Sequence, residues 1–114
     1  MSPDCLFCRI AAGEVPAQIV HQDDQVVAFR DIAPKAPVHV LVVPRAHWRS
    51  LADVPSSQTQ ALGHLLATCR HLAATLGLDD GYRVVINTGP DGGQTVDHLH
   101  VHLLGGRQLD WPPG

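Results

Sequence analysis

The sequence predicts an α+β fold: a five-stranded antiparallel sheet with one main helix lying on one of its faces. Three observations predict it. Five short β-branched or alternating segments are divided by runs rich in proline, glycine and acidic residues. One stretch, 56–76, carries apolar residues at helical spacing. The order is three strands, the helix, then two strands joined by a hairpin-sized loop, which argues for an antiparallel sheet over alternating βαβ units. With 114 residues and no internal repeat or linker, the expected organisation is one domain, 1–114.

The elements follow in chain order. Residues 3–10 read as a turn or helical stub, with Pro3 suited to an early helix position. Gly13-Glu14-Val15-Pro16 breaks it. Ile19-Val20-His21 is a short strand ending at the polar turn Gln22-Asp23-Asp24-Gln25, and 26–31 is the second strand. Pro34 and Pro37 mark a connecting loop, since neither can donate to a ladder. Val38-His39-Val40-Leu41-Val42-Val43 is the clearest buried strand. In 56–76, Leu62, Leu65, Leu66, Cys69, Leu72, Ala73 and Leu76 share a helix face. Ser57 and Gln60 have the spacing of a capping box, and Gly77 stands where a left-handed cap would close the helix. Cys69 reads as a small core residue, and His64 and His71 as surface or margin residues. Residues 82–87 form the fourth strand, 88–95 a glycine-rich loop, and 98–104 the fifth strand.

Composition narrows the function classes. Apolar residues make up 45% and charged residues 17%, which suits a globular chain and argues against disorder. No apolar run nears the roughly 18 residues of a membrane span. A net charge of −3 disfavours duplex nucleic acid as a partner. The start, Met1-Ser2-Pro3-Asp4-Cys5, lacks a basic and apolar leader, so a cytoplasmic, reducing setting is expected. Three cysteines cannot close a disulfide framework, which leaves Cys5 and Cys8 as thiols for a metal or as ordinary buried residues.

The chemistry concentrates at the end of the chain. In His98-Leu99-His100-Val101-His102-Leu103-Leu104, histidines alternate with apolar residues. In a strand, residues two apart share a face, so Leu99, Val101 and Leu103 point under the helix and the three imidazoles point away, roughly 7 Å apart. That face has three readings: a solvated polar surface, a metal site, or nucleophilic catalysis by a neutral imidazole. The preceding Asp91-Gly92-Gly93-Gln94-Thr95 offers backbone N–H groups that small residues leave uncovered, a concavity suited to anions. A phosphate held there would face the histidines.

The His-x-His-x-His-x-x pattern, with x apolar, resembles the signature of the histidine triad (HIT) proteins. Asp31 to His39, Leu62-Gly63-His64-Leu65, Gly81-Tyr82-Arg83, Asp91 to Gln94, Leu104 to Gln108 and Trp111-Pro112-Pro113-Gly114 resemble its Hint branch. The resemblance implies a homodimer whose sheets join into one of ten strands. It implies hydrolysis of purine nucleoside 5′-phosphoramidates to nucleotide and amine. His100 would be the nucleophile, His102 a phosphate-contacting partner and His39 a supporting histidine. Nucleotide contacts would come from Asp31 and Ile32 at ribose and base, from Leu6, Phe7, Ile10 and Phe29 around the base, and from Asn87, Gly93, Gln94 and Thr95 at the phosphate, together with His100 and His102. From the residues alone, the four apolar ones read first as core, and Asp31 reads as readily as a turn residue. Thr95 stands where Hint proteins usually have serine, and its hydroxyl can make the same bond. Trp111 would reach the partner's active site. Cys5-Leu6-Phe7-Cys8 resembles a bacterial subset in which a Cys-x-x-Cys pair and two histidines, here His47 and His98, hold structural zinc.

Overall fold

The structure, a computed structural model, describes residues 4–114. The elements run α1 (Leu6–Ala11), β1 (Ile19–Gln22), β2 (Val26–Arg30), β3 (Val38–Pro44), α2 (Thr59–Thr75), β4 (Tyr82–Val85) and β5 (Val101–Gly105). Two 3₁₀ turns, Leu51–Asp53 and Ser56–Gln58, precede α2. The strands make one antiparallel sheet in the order β1-β2-β3-β5-β4, so β5 lies between β3 and β4, and β4 is an edge. This is the α+β fold expected, with α2 as its main helix.

Strand alternation gives the sheet two apolar faces. Val26, Ala28, Val40, Val42, Val101 and Leu103 pack with Leu65, Cys69, Leu72 and Ala73 of α2. Val27, Phe29, Leu41 and Val43 pack on the other side with Phe7, Ile10 and Ala11 of α1. The second face is therefore partly covered by the N-terminal helix, the stub expected at residues 3–10. Arg45 fixes that helix to the sheet: its guanidinium donates to Ala11 O (2.7 Å), Asp23 O (2.8 Å) and Gln22 Oε1 (3.3 Å).

Helix ends match expectation in part. Gly77 takes φ +75°, and Leu78 N–H donates to Ala73 O at 2.9 Å, which closes α2 as a Schellman motif. The Ser57–Gln60 capping box does not form. Ser57 lies inside a 3₁₀ turn entered from Pro55, so it cannot take the extended conformation of a cap; Gln58 holds that position without a side-chain bond. At α1 the cap is Cys5, whose Sγ accepts from Cys8 N–H at 3.3 Å. The reading of Pro3 lies outside the described residues.

The fifth strand is shorter than expected. β3 and β5 pair only as far as Val42 opposite Val101. Beyond that point Leu99 N–H goes to Trp48 O at 2.7 Å, so His98 and His100 precede the ladder. The alternation survives, since Leu99 joins the core under α2 while the His98 and His100 rings meet Phe7 on the α1 face. Among the described residues, no helix is long and apolar enough to cross a membrane.

Candidate active site and metal centre

His98, His100 and His102 stand on the α1 face, with His98 and His100 buried. Each ring's tautomer follows from its backbone partner, because a neutral imidazole has one N–H and one lone pair. His100 Nδ1 lies 2.7 Å from the His98 carbonyl, so Nδ1 carries the proton and Nε2 the lone pair. That Nε2 makes no bond among the described residues, and no side-chain nitrogen there is buried without a partner, so it opens to the surface.

Four donors converge beside it. His98 Nδ1 lies 3.3 Å from Cys5 Sγ, 3.5 Å from Cys8 Sγ and 3.1 Å from His47 Nδ1, and Cys8 Sγ is 3.3 Å from His47 Nδ1. One lone pair cannot accept three such bonds. A tetrahedron with metal bonds of roughly 2.0–2.3 Å has edges of roughly 3.3–3.8 Å, close to these separations. His98 Nε2 lies 2.8 Å from the Pro44 carbonyl, so it holds the proton and Nδ1 is bare toward the cluster. Burial pushes the His98 imidazole down to about 4, against the pull of that carbonyl; His47 and His100 add to the lowering. The donor set fits zinc, and Cys5, Cys8, His47 and His98 are the residues that would hold it.

A second group, Asp31, His39 and His102, has its donor atoms as close together. Here Lys35 N–H donates to His39 Nδ1 at 3.1 Å. His39 therefore carries its proton on Nε2, which is 2.9 Å from His102 Nδ1 and 3.5 Å from Asp31 Oδ2. A protonated Nε2 cannot ligate a metal, so this group is a hydrogen-bond relay. His39 donates to His102 Nδ1, and His102 turns an Nε2–H outward. Burial pushes His102 down to about 4, with His100 and His39 adding and Asp31 opposing, so it is a neutral donor near pH 7. Burial also lowers His39, against the opposing charge of Asp31.

The glycine loop is tighter than its composition suggested. Gly92 approaches the Thr88 backbone so closely that a Cβ would collide with Thr88 O, and Gly93 takes φ +79°. Gly93 N–H and Gln94 N–H are bonded inside the loop, to Pro90 O and Gly89 O at 3.1 Å each. The Gln94 amide is also spent: Oε1 accepts from Gly89 N–H at 3.0 Å, and Nε2 donates to Arg49 O at 2.7 Å and Val96 O at 2.9 Å. Gln94 thus braces the loop, and the expectation that these N–H groups lie uncovered is corrected for Gly93 and Gln94. Asn87 and Thr95 make no hydrogen bond among the described residues. Phe7, Ile10 and Phe29 are buried in the second core, whereas Leu6 is 48% and Ile32 100% exposed. Asp31 Oδ1 accepts from Ala33 N–H at 2.8 Å, shaping the turn that presents Ile32. Arg83 holds the C-terminal tail through Asp110 O at 2.6 Å, with Trp111 exposed.

Sequence reasoning missed the backbone partners, which leave no residue-type signal. It also missed a third group. Asp23 Oδ2 meets His64 Nε2 at 2.8 Å and His21 Nε2 at 3.1 Å, and the His21 ring packs on His71. So His64 is tied to the sheet margin, not merely solvated.

The HIT domain family pattern matches residues 12–109. The chain is 56% identical over 114 residues, all of both chains, to an uncharacterized HIT-like protein of Synechococcus elongatus. It is 47% identical over 113 residues, 97% of this chain and 100% of the other, to a 14 kDa zinc-binding protein of Brassica juncea. A HIT family hydrolase from Legionella pneumophila superposes with TM-score 0.95 at 48% identity, covering 97% of this chain and 100% of that one. A histidine triad nucleotide-binding protein from Candida albicans gives TM-score 0.82 at 32% identity, over 97% and 85%. The chain belongs to the HIT family.

Proposed function

We propose that the protein hydrolyses purine nucleoside 5′-phosphoramidates to nucleotide and amine, as a Hint-type member of its family. One observation carries the reading: the His100 ring, with its lone pair on Nε2, stands beside the His102 ring, their centroids 5.0 Å apart, and the His102 tautomer places its N–H on Nε2. A nucleophile beside a neutral donor suits attack on a phosphoryl group. The Legionella hydrolase and the Candida nucleotide-binding protein support a nucleotide hydrolase in kind.

His100 Nε2 attacks phosphorus and the P–N bond breaks. Its electron pair leaves on the amine nitrogen, which takes up a proton. Nδ1–H stays on the His98 carbonyl, so the modified ring is held in place. Water then attacks phosphorus, the P–Nε2 bond breaks, and its pair returns to His100 while one proton goes to solvent. His102 donates a hydrogen bond to a phosphoryl oxygen throughout. It is not the acid: giving up its Nε2 proton would leave an imidazolate, because His39 can return a proton only by becoming anionic itself. The amine takes its proton from solvent or from the substrate. Asp31 and Ile32 serve ribose and base beside Leu6, Phe7, Ile10 and Phe29. Asn87 and Thr95 serve the phosphate, and Gly93 and Gln94 shape the loop beside it. Zinc on Cys5, Cys8, His47 and His98 supplies a structural tether, which the Brassica relative supports.

The single domain works as a cytoplasmic homodimer. β4, an open edge with Tyr82 44% and Val84 36% exposed, is the edge at which two copies would build a ten-stranded sheet. Turnover of paired AMP and GMP amidates, with and without chelator, tests the activity. Steady turnover lost in His100→Ala with AMP binding kept supports it. Binding without turnover of any amidate overturns it, in favour of a binding module, or of an ester or dinucleoside polyphosphate hydrolase if those turn over. A monomer at micromolar concentration overturns the assembly.

A further inference from the structure

We propose that the metal cluster is also a positioning clamp for His100, so that loading the metal orders the nucleophile; this rests on His100 being the reacting group. His98 is the link. Its ring nitrogen Nδ1 lies in the cluster, its Nε2 is on Pro44 O, and its carbonyl takes the His100 Nδ1 proton at 2.7 Å. One residue thus joins the ligand set to the bond that fixes the nucleophile's tautomer.

His98 to His100 lie outside the ladder, which ends at Val101, and among the described residues the one backbone–backbone bond of the segment is Leu99 N–H to Trp48 O. The side wall of His100 has the same dependence. Phe7, between the two cysteines, stands edge-on to the His100 ring at 5.1 Å and 81° and to the His98 ring at 6.0 Å and 74°. Phe7 rides on α1, six residues long and far too short to be stable alone. Its attachments are Arg45 at one end, its packing on the sheet, and the cysteine cluster at the other. The larger core under α2 contains none of the four ligands, so the fold should outlast metal loss while the site loosens.

The test uses the full-length protein with ¹⁵N-labelled histidine, followed by NMR and by turnover of an AMP amide. With zinc, the His100 ring should show a single Nδ1–H tautomer. Chelation should turn this into a tautomer mixture, lower kcat roughly tenfold to 10²-fold, and leave KM within about twofold, as expected when a reacting group is misplaced by a fraction of an ångström. Re-adding zinc should restore both. Cadmium, which takes the same ligands with longer bonds, keeps the question open to measurement if the metal-free protein unfolds: it should shift the His100 ring resonances. A His100 spectrum identical with zinc, with cadmium and without metal overturns the clamp. So does a loss on chelation seen only in KM. If the spectrum responds to metal but no amidate is turned over, the clamp stands and the proposed reaction fails.

Discussion

The two polar clusters that flank His100 share a sheet face and residue types, yet they differ in what stands behind each ring. Behind His98 is a carbonyl, Pro44 O, which takes the proton and leaves the inward nitrogen bare. Behind His39 is an amide, Lys35 N–H, which takes the lone pair and leaves the inward nitrogen protonated. The first cluster can hold a cation; the second can only pass a hydrogen bond to His102. Proximity of donors is therefore not sufficient for a metal site: the atom behind the ring decides which lone pairs point inward.

Removing the residue between the clusters should have the largest effect. His100→Ala should cost at least roughly 10³-fold in kcat, with AMP still bound, as for loss of a covalent nucleophile. A loss below tenfold would mean that neither cluster serves His100. Next is the metal side. Cys5→Ser should drop zinc content well below one per chain and lower Tm by roughly 5–10 °C, because metal binding is coupled to folding. Chelator should then lower Tm for the unaltered protein but not for the variant.

The relay side should answer differently. His39→Ala should keep its zinc and most of its Tm but lose roughly tenfold in kcat, since His102 Nδ1 then has no fixed donor and the outward Nε2–H is no longer enforced. In excess zinc the unaltered protein should bind one ion per chain; a second, lost in His39→Ala, would refute the protonation assigned to the relay. Gln94→Ala should act more weakly, raising KM a few-fold by freeing the loop from Arg49 and Val96 while kcat changes little.

Both clusters were partly legible in the sequence. Period-two histidines are visible because a strand projects alternate residues to one face, and this held even where His98 and His100 run ahead of β5. The Cys-x-x-Cys pair was visible because the two thiols are close in sequence. What distinguishes the clusters was not legible, since Pro44 O and Lys35 N–H are backbone atoms that any residue would supply. The Gln94 brace was hidden for the same reason: its three partners are main-chain atoms. The capping box failed because a cap depends on the backbone angles of the entering chain, which Pro55 and the 3₁₀ turn set. How much of the second face the expected N-terminal stub covers was not legible, because six residues are too few to show an amphipathic period.

The group at Asp23 extends the comparison to a carboxylate. Its Oδ1 accepts from Gln25 N–H at 2.8 Å and Val26 N–H at 2.9 Å, while Oδ2 faces Nε2 of both His21 and His64. Every inward atom there is matched as donor to acceptor, so it is a clasp between the β1–β2 turn and α2. Burial alone would raise the Asp23 carboxyl, but the Gln25 amide, the His21 and His64 rings and the Val26 amide outweigh it and hold the group well below the ordinary carboxylate range. A carboxyl depressed on folding adds stability that is fully present above its unfolded pKa, about 3.9, and is lost as pH falls toward the folded value. Asp23→Asn should therefore lower Tm by a few degrees at pH 7 and flatten the fall of Tm with acid below about pH 4. Zinc content and kcat near neutral pH should not change. A Tm profile that keeps its full acid slope in Asp23→Asn would show that the clasp is a passive contact and that the depressed carboxyl contributes nothing to stability.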